Sequence, residues 1–432
     1  LVVFRDMRFE ITFEGGNGQF GEDRLRSKWF DPILNDIFLN SAALPLVDNP
    51  VSRGNRTPDF EYIIISPPLP SYMAWADSLK RFRTEQGITT GVFTTAEIGG
   101  NTTTAIEGFI DDAMTNWDVP PVAVLLLGDH GTEASDVIAP IYDNYCVSDH
   151  IYADVSGNHM PDVILARMTA DNPTNLETYV RKVLDYELNP PTDPSFYSNP
   201  VIAGGWQDER WFVLCDEVIY GFMANELSKT PTREYAVYSG VHTAWSSATN
   251  TQTVLNYFGN NGLGYIPDTP AHLTDWGANA TRLTADINAG TFLVQHRDHG
   301  AETAWGEPSY TNSDLNGLNN EDLTFVFSIN CLTGKYNYSN DSFAEAFHRH
   351  NQGALGLIAA SEVSYSFVND VYVWGMFDYM WPDFDPGHGV AGAHKFLPAF
   401  ANAAGKYFLQ ASSWPYNTDN KEVTYYLFHH HG

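Results

Sequence analysis

Two residues carry the most chemical promise in this chain, His299 and Cys331. Each closes an apolar run that reads as a buried strand: Thr291-Phe-Leu-Val-Gln-His-Arg-Asp-His299-Gly300 and Thr324-Phe-Val-Phe-Ser-Ile-Asn-Cys331. A thiol becomes an effective nucleophile when its pKa is lowered or when an adjacent base takes its proton. An imidazole is suited to that task, as base or as imidazolium partner of a thiolate. If the two runs are neighbours in one parallel sheet, both side chains emerge at the same edge, where open α/β sheets build their sites. Gly300 adds a backbone N–H with no Cβ beside it. Together with the N–H of Cys331 it can form an oxyanion hole, a device worth about 3 kcal/mol per donor. On composition and spacing alone, a small buried thiol and a satisfied core histidine are the favoured explanation of the pair.

Such groups need a framework, and an α/β pattern starts at Glu61. Strands are expected over 62–66, 89–95, 122–128, 162–167, 201–205 and 355–360, besides the two runs above. Helices are expected over 71–86, 102–117, from Asn172-Pro173 onward, over 216–229 and around 342–350. Alternating strands and helices imply parallel sheets with right-handed crossovers. Residues 1–58 read as a small β-rich N-terminal segment. Val2 to Phe13 alternates like a half-buried strand, Gly15 to Gly18 is a turn, and a polar linker carries Arg53 and Arg56. Boundaries fall at this linker and at the proline-rich Asn189 to Pro194, which delimits units 59–195 and 196–432.

The chain has 432 residues and a formal net charge of −30, with 53 acidic against 23 basic side chains. That excess argues against nucleic acid and anionic membrane surfaces as partners. It suits a secreted protein, a calcium binder or an enzyme drawing cationic substrates, and equally plain solubility. No apolar run reaches the roughly 18 residues of a membrane span. Leu1 opens in what reads as mid-strand without a leader, so a processed product is expected. Three cysteines, Cys146, Cys215 and Cys331, are too few for a disulfide scaffold. One pair can bridge, with Cys331 the expected free thiol.

Asp143, Asp149, Asp154, Asn158 and Asp162, with Ser156, cluster in a short stretch. Hard oxygen donors of this kind suit a structural Ca²⁺, although the Gly and Glu of an EF-hand loop are missing. A solvated acidic hairpin is the plain alternative. His429-His-His431 follows an apolar run and reads as a strand rather than a metal tract.

Several strings resemble the gingipain family of cysteine peptidases, relatives of the caspases: His299-Gly-Ala-Glu-Thr-Ala-Trp-Gly306, Phe327-Ser-Ile-Asn-Cys331-Leu-Thr-Gly334, Ser342-Phe-Ala-Glu-Ala346, Leu125-Leu-Leu-Gly-Asp129 and Ser148-Asp-His-Ile-Tyr-Ala-Asp154. The resemblance implies a fold class of α/β type, with two side-by-side parallel-sheet subdomains behind a small N-terminal segment. It implies a secreted endopeptidase acting on protein or peptide substrates through a thioester, with calcium in the structure. Residues 1–58 would be the end of a pro-region, a partner of its own catalytic unit, and Arg53 and Arg56 self-processing sites. Matched by motif, His299 is the base and Cys331 the nucleophile, and an acid behind the histidine falls to Asp208 or Glu209. The family's S1 carboxylate falls to Asp216, with cleavage after Arg or Lys, and an aromatic S1 wall to Phe367. Glu302 and Trp305, within the first string, are further substrate-side candidates. A sortase-like transpeptidase and a non-enzymatic surface protein on the same scaffold are the rivals.

Overall fold

The computed structural model describes residues 29, 31, 60–237, 242–387, 396–413 and 418–432. The N-terminal segment, its turn and its two arginines therefore lie outside the described residues. Ten strands form one continuous sheet. Numbering only these, the first half holds β1 (Tyr62–Ser66), β2 (Thr90–Thr94), β3 (Ala123–Leu127) and β4 (Ile164–Met168). The second half holds β5 (Val201–Trp206), β6 (Thr232–Val237), β7 (Leu293–Arg297), β8 (Thr324–Ile329) and β9 (Ala354–Ala360), and the C-terminal strand is β10 (Phe428–His431). The order across the sheet is β2-β1-β3-β4-β10-β9-β8-β7-β5-β6.

Within each half the strands are parallel and covered by helices, so Ile63, Ile64 and Ile65 are all buried rather than alternating. The histidine tract is the seam. β10 runs antiparallel to β9, with Ile358 opposite His430, and meets β4 in parallel at His431 and Arg167. The two halves of the sheet therefore run in opposite directions.

The helices are α1 (Pro70–Glu85), α2 (Thr103–Asn116), α3 (Pro173–Leu188), α4 (Phe212–Asn225), α5 (Phe343–Arg349), α6 (Val368–Met380) and α7 (Pro398–Ala411), besides shorter ones. Local chemistry explains their starts. Thr102 accepts from Ala105 N–H at 3.2 Å, and Asn172 accepts from Thr174 N–H at 3.0 Å ahead of Pro173. Ser342 and Glu345 close a capping box on α5. Helix α4 begins at Phe212, so Asp216 lies a turn inside it rather than at its opening, as the pattern had suggested. Every residue of α6 is buried, Asp370 and Asp378 included. No polar stripe marks it, which hid it from a reading by periodicity.

Candidate active site

Strands β7 and β8 are adjacent and parallel, with Ser328 opposite His296 and Ile329 opposite Arg297. Two residues on, His299 and Cys331 leave the same edge. The chains touch there: a Cβ on Gly300 would sit 2.5 Å from the Cys331 carbonyl oxygen and 2.7 Å from Asn330 Oδ1. Glycine is required by this close approach of backbone to backbone.

The turn bearing Cys331 is held by a buried polar network. Asn330 Nδ2 donates to His296 Nδ1 at 2.8 Å and to Ser328 Oγ at 3.0 Å, while Asn330 Oδ1 accepts from Thr333 Oγ1 at 2.6 Å. His296 donates its other nitrogen to Glu307 O at 3.1 Å, and burial pushes its pKa down to about 3, so the ring is neutral. Trp305 stacks on that ring, centroids 4.2 Å apart, and donates Nε1–H to Ser328 Oγ at 2.8 Å. Trp305 is thus a fully buried buttress, not a substrate contact as the string had suggested. Leu332, next after the thiol, has φ 63°.

Around the thiol, the N–H of Ser364 donates to Cys331 Sγ at 3.3 Å. Ser364 Oγ donates to Asn330 O at 2.9 Å and accepts from Asn369 Nδ2 at 2.7 Å. All three cysteines are free, Cys146 and Cys215 being buried and Cys331 half-buried. The bridge that the count allowed does not form.

His299 is half-buried. Burial, with the cations of Arg297 and Arg210, lowers its pKa. Its Nε2 lies 2.7 Å from Gln207 Oε1, and Gln207 Nε2 donates to Glu209 Oε1 at 2.5 Å. Because the carboxylate takes the amide's N–H, the amide oxygen must face the ring. That oxygen can only accept, so Nε2 carries the proton and Nδ1 is left as the basic nitrogen. Of the two acids expected behind the histidine, Glu209 is the one linked to the ring, through Gln207. Asp208 is turned away: its Oδ1 accepts from Trp206 Nε1 at 3.0 Å. Gln207 escaped the sequence reading because an amide was not among the residue types sought.

Asp298, also not anticipated, is buried beside the dyad. Its Oδ2 accepts from Glu307 N–H at 2.6 Å, and burial pushes its carboxyl up to about 7. Glu302 sits in the hairpin turn between residues 301 and 304, where its carbonyl accepts from Phe343 N–H at 2.6 Å.

Asp216 does not open onto a cleft. It is fully buried, with Oδ1 3.4 Å from Gln295 Nε2 and Oδ2 against Gly204 of β5, and burial raises its pKa well above the usual carboxylate range. This corrects its assignment as a substrate-pairing acid. Phe367, half-buried with φ 71°, precedes α6 and packs edge-on against Trp211, centroids 4.7 Å apart.

The calcium candidates do not converge either. Asp149 gives both oxygens to Arg167, at 2.7 Å each. Asp154 accepts from the N–H groups of Asn158 and His159, Asp162 accepts from Ser156 N–H, and Asn158 Oδ1 caps Met160 N–H. Asp143 lies exposed in a separate hairpin turn with φ 46°. The loop is satisfied by its own backbone, so these five do not fit a cation and none is carried forward as a ligand.

Comparisons with known proteins agree with this geometry. Lys-gingipain W83 of Porphyromonas gingivalis is 28% identical over 293 residues, which is 66% of this chain and 14% of that protein. Gingipain R2 of P. gingivalis (strain ATCC BAA-308 / W83) is 22% identical over 342 residues, 77% of this chain and 40% of that one. The chain thus spans well under half the length of these relatives. Among solved structures, the Arg-specific cysteine proteinase gingipain R superposes with a TM-score of 0.67 at 19% identity, covering 87% of this chain and 77% of that one. A complex of the pro- and mature domains of a P. gingivalis gingipain superposes at 0.65. The family model for peptidase family C25 matches residues 55–427, most of the chain, and the protein belongs to that family.

Proposed function

We propose that the protein is a cysteine endopeptidase in which Cys331 attacks the scissile carbonyl and His299 manages the protons. The observation that carries this is the meeting of the two strand ends, with a Ser364 N–H on the sulfur and Gly300 lying over the Cys331 carbonyl. In the first step the thiol proton passes to His299 Nδ1 and the sulfur adds to the carbonyl carbon. The N–H groups of Gly300 and Cys331 are the proposed donors to the resulting oxyanion. Collapse breaks the C–N bond as the imidazolium protonates the leaving amine, leaving a thioester on Cys331. His299 then takes a proton from water, hydroxide character develops at the thioester carbonyl, and the acid product leaves with the thiol restored.

Gln207 and Glu209 act as positioning residues that hold the ring and its tautomer. Action outside the cell fits the large negative charge, and no helix among the described residues is long and apolar enough to cross a membrane. The test is covalent trapping. A peptidyl acyloxymethyl ketone should label wild-type protein at Cys331, located by mass spectrometry, and leave Cys331→Ala unmodified. Labelling elsewhere, or hydrolysis surviving in Cys331→Ala, would overturn the assignment.

A further inference from the structure

The loop that carries Ser364 is stitched to two parts of the molecule at once. It leaves the end of β9 and runs from Ser361 to Ser364 past the thiol. Its even-numbered residues bond to the turn of the nucleophile. The Glu362 carbonyl accepts from Leu332 N–H at 3.2 Å, the Glu362 carboxylate pairs with Lys335 at 2.5 Å, and Ser364 meets Cys331 and Asn330 as described above. Its odd-numbered residues bond to the hairpin of residues 141–147, which belongs to the first half of the chain. Ser361 Oγ donates to Val147 O at 2.7 Å, and the Tyr145 hydroxyl donates to Val363 O at 2.6 Å.

The Val363 carbonyl and the Ser364 N–H are the two ends of one peptide group. That group is planar and trans, so its C=O and its N–H point in opposite directions. Fixing the carbonyl fixes the line along which the N–H leaves, and that N–H ends on Cys331 Sγ at 3.3 Å. A hydrogen bond accepted by the carbonyl also polarises the amide and strengthens its N–H as a donor. The sulfur meets the other end of Ser364 too, 3.6 Å from its carbonyl oxygen. Tyr145 is itself braced. Its N–H donates to Tyr142 O at 2.8 Å within the hairpin turn. Its one hydroxyl proton goes to Val363, so in the 3.4 Å contact between the two phenols Tyr365 is the donor. Val363 is exposed, and water would satisfy its carbonyl equally well. Only a phenol anchored in the hairpin gives that carbonyl a fixed direction.

We propose that Tyr145 is a positioning residue for the nucleophile, reaching from the first half of the chain to hold the Val363–Ser364 peptide so that its N–H keeps Cys331 Sγ on the line of attack. The inference rests on the endopeptidase reading above. A sulfur free to turn about its Cα–Cβ bond spends less time in the geometry from which it attacks. That slows the chemical step and leaves substrate binding alone.

The experiment compares two hydroxyls of one hairpin. Tyr145→Phe removes the hydrogen bond to Val363. Tyr142→Phe removes one of similar length, 2.7 Å to Glu422 Oε1, that does not involve the loop. Both variants are assayed on quenched fluorescent casein, and their melting temperatures are recorded. Tyr145→Phe should lower kcat about tenfold with KM within about twofold of wild type, at a melting temperature within a few degrees. Tyr142→Phe should keep kcat and KM within about twofold. An unchanged kcat in Tyr145→Phe, an equal loss in the two variants, or a change in KM alone overturns the inference while leaving the peptidase reading intact. A wild-type protein that neither cleaves casein nor takes the acyloxymethyl ketone at Cys331 overturns that reading, and the inference falls with it. Should Tyr145→Phe not fold, Tyr365→Phe decides. It removes the brace on the Tyr145 oxygen and should lower kcat about twofold or more with KM unchanged; an unchanged kcat there overturns the inference.

Discussion

The tripeptide Asp-His-Gly occurs at the end of a parallel strand in both halves of the sheet. Asp129-His130-Gly131 follows β3 and Asp298-His299-Gly300 follows β7. A buried arginine paired with a buried aspartate accompanies each, Arg167 with Asp149 and Arg297 with Asp370. What separates them is what the neighbouring strands bring. Beside β3, β1 closes on Ser66 and β4 on Met168, and the His130 ring turns back on its own chain, Nδ1 lying 3.0 Å from Asp129 Oδ1. Arg167 there holds the carbonyls of Gly128 and Asp129 at 3.0 Å each, so the edge is tied down by main-chain contacts. Beside β7, β8 leads to Cys331 and β5 to Gln207, whose amide oxygen meets the His299 ring at 2.7 Å. A histidine at a strand end is cheap to encode; the convergence of two further strand ends makes it a site.

The largest expected effect tests that contrast. Cys331→Ala or His299→Ala should lower kcat/KM for peptide hydrolysis by roughly 10³-fold or more. His130→Ala should stay within about twofold of wild type, since its ring turns back on Asp129. Loss of hydrolysis in His130→Ala at unchanged melting temperature would mean that the first half takes part in the chemistry.

The same contrast shows what was legible in the sequence. Cys331, His299 and Gly300 stood out because strand ends, residue type and a family-like string coincide at them. The two-sided burial of β7 and β8 writes those ends as continuous apolar runs. Gln207, Ser364 and Asn369 did not stand out. Gln207 meets His299, and Ser364 meets Cys331, across long sequence separations, Asn369 acts only by holding Ser364, and common polar residues carry no periodic mark. Asp216 was misplaced because a resemblance in sequence along α4 does not say which face of the helix meets the sheet. Trp305 lay in the most family-like string and serves the fold, so proximity to a catalytic residue in sequence is a poor guide to contact with substrate.

The glycines of the two tripeptides offer the next test. A methyl at Gly300 would press on the Cys331 carbonyl oxygen at 2.5 Å, a backbone atom that cannot yield without moving the nucleophile. A methyl at Gly131 meets Asp136 Oδ2 at 2.6 Å, the end of a side chain that can turn aside. Gly300→Ala should therefore cost about 1–3 kcal/mol in denaturant unfolding, together with much of the activity. Gly131→Ala should cost well under about 1 kcal/mol and leave the activity in place. Equal costs would imply that the strand ends are equally crowded and that the close approach at Gly300 is general packing.

Gln207 tests whether the ring of His299 is positioned from the β5 side. Gln207→Ala removes the acceptor from Nε2–H, a hydrogen bond that becomes charge-assisted when the imidazolium forms. The expected loss is about tenfold to a hundredfold in kcat with little change in KM. Gln207→Glu should keep the acceptor but repel Glu209, and its deficit should shrink in the double variant with Glu209→Gln. If Gln207→Ala raises KM alone, the residue holds substrate rather than the ring.

The smallest effect is in the pH profile, and its sign is informative. His299 works as a base only when neutral, so activity falls as pH drops through its pKa. That pKa is lowered by burial and by Arg297 and Arg210, and raised by Glu209. The acid limb of kcat/KM should therefore lie below the ordinary histidine value of about 6.5. Glu209→Gln removes a stabiliser of the imidazolium and should move the limb to lower pH. Arg210→Gln removes a destabiliser and should move it higher. Glu209 is fully solvated, so its shift should be a few tenths of a pH unit and should fade with added salt. His130→Ala should move the limb not at all, because Asp129 and Arg167 answer to a different strand end. Shifts of the same sign in Glu209→Gln and Arg210→Gln would show that the limb reports a group other than His299.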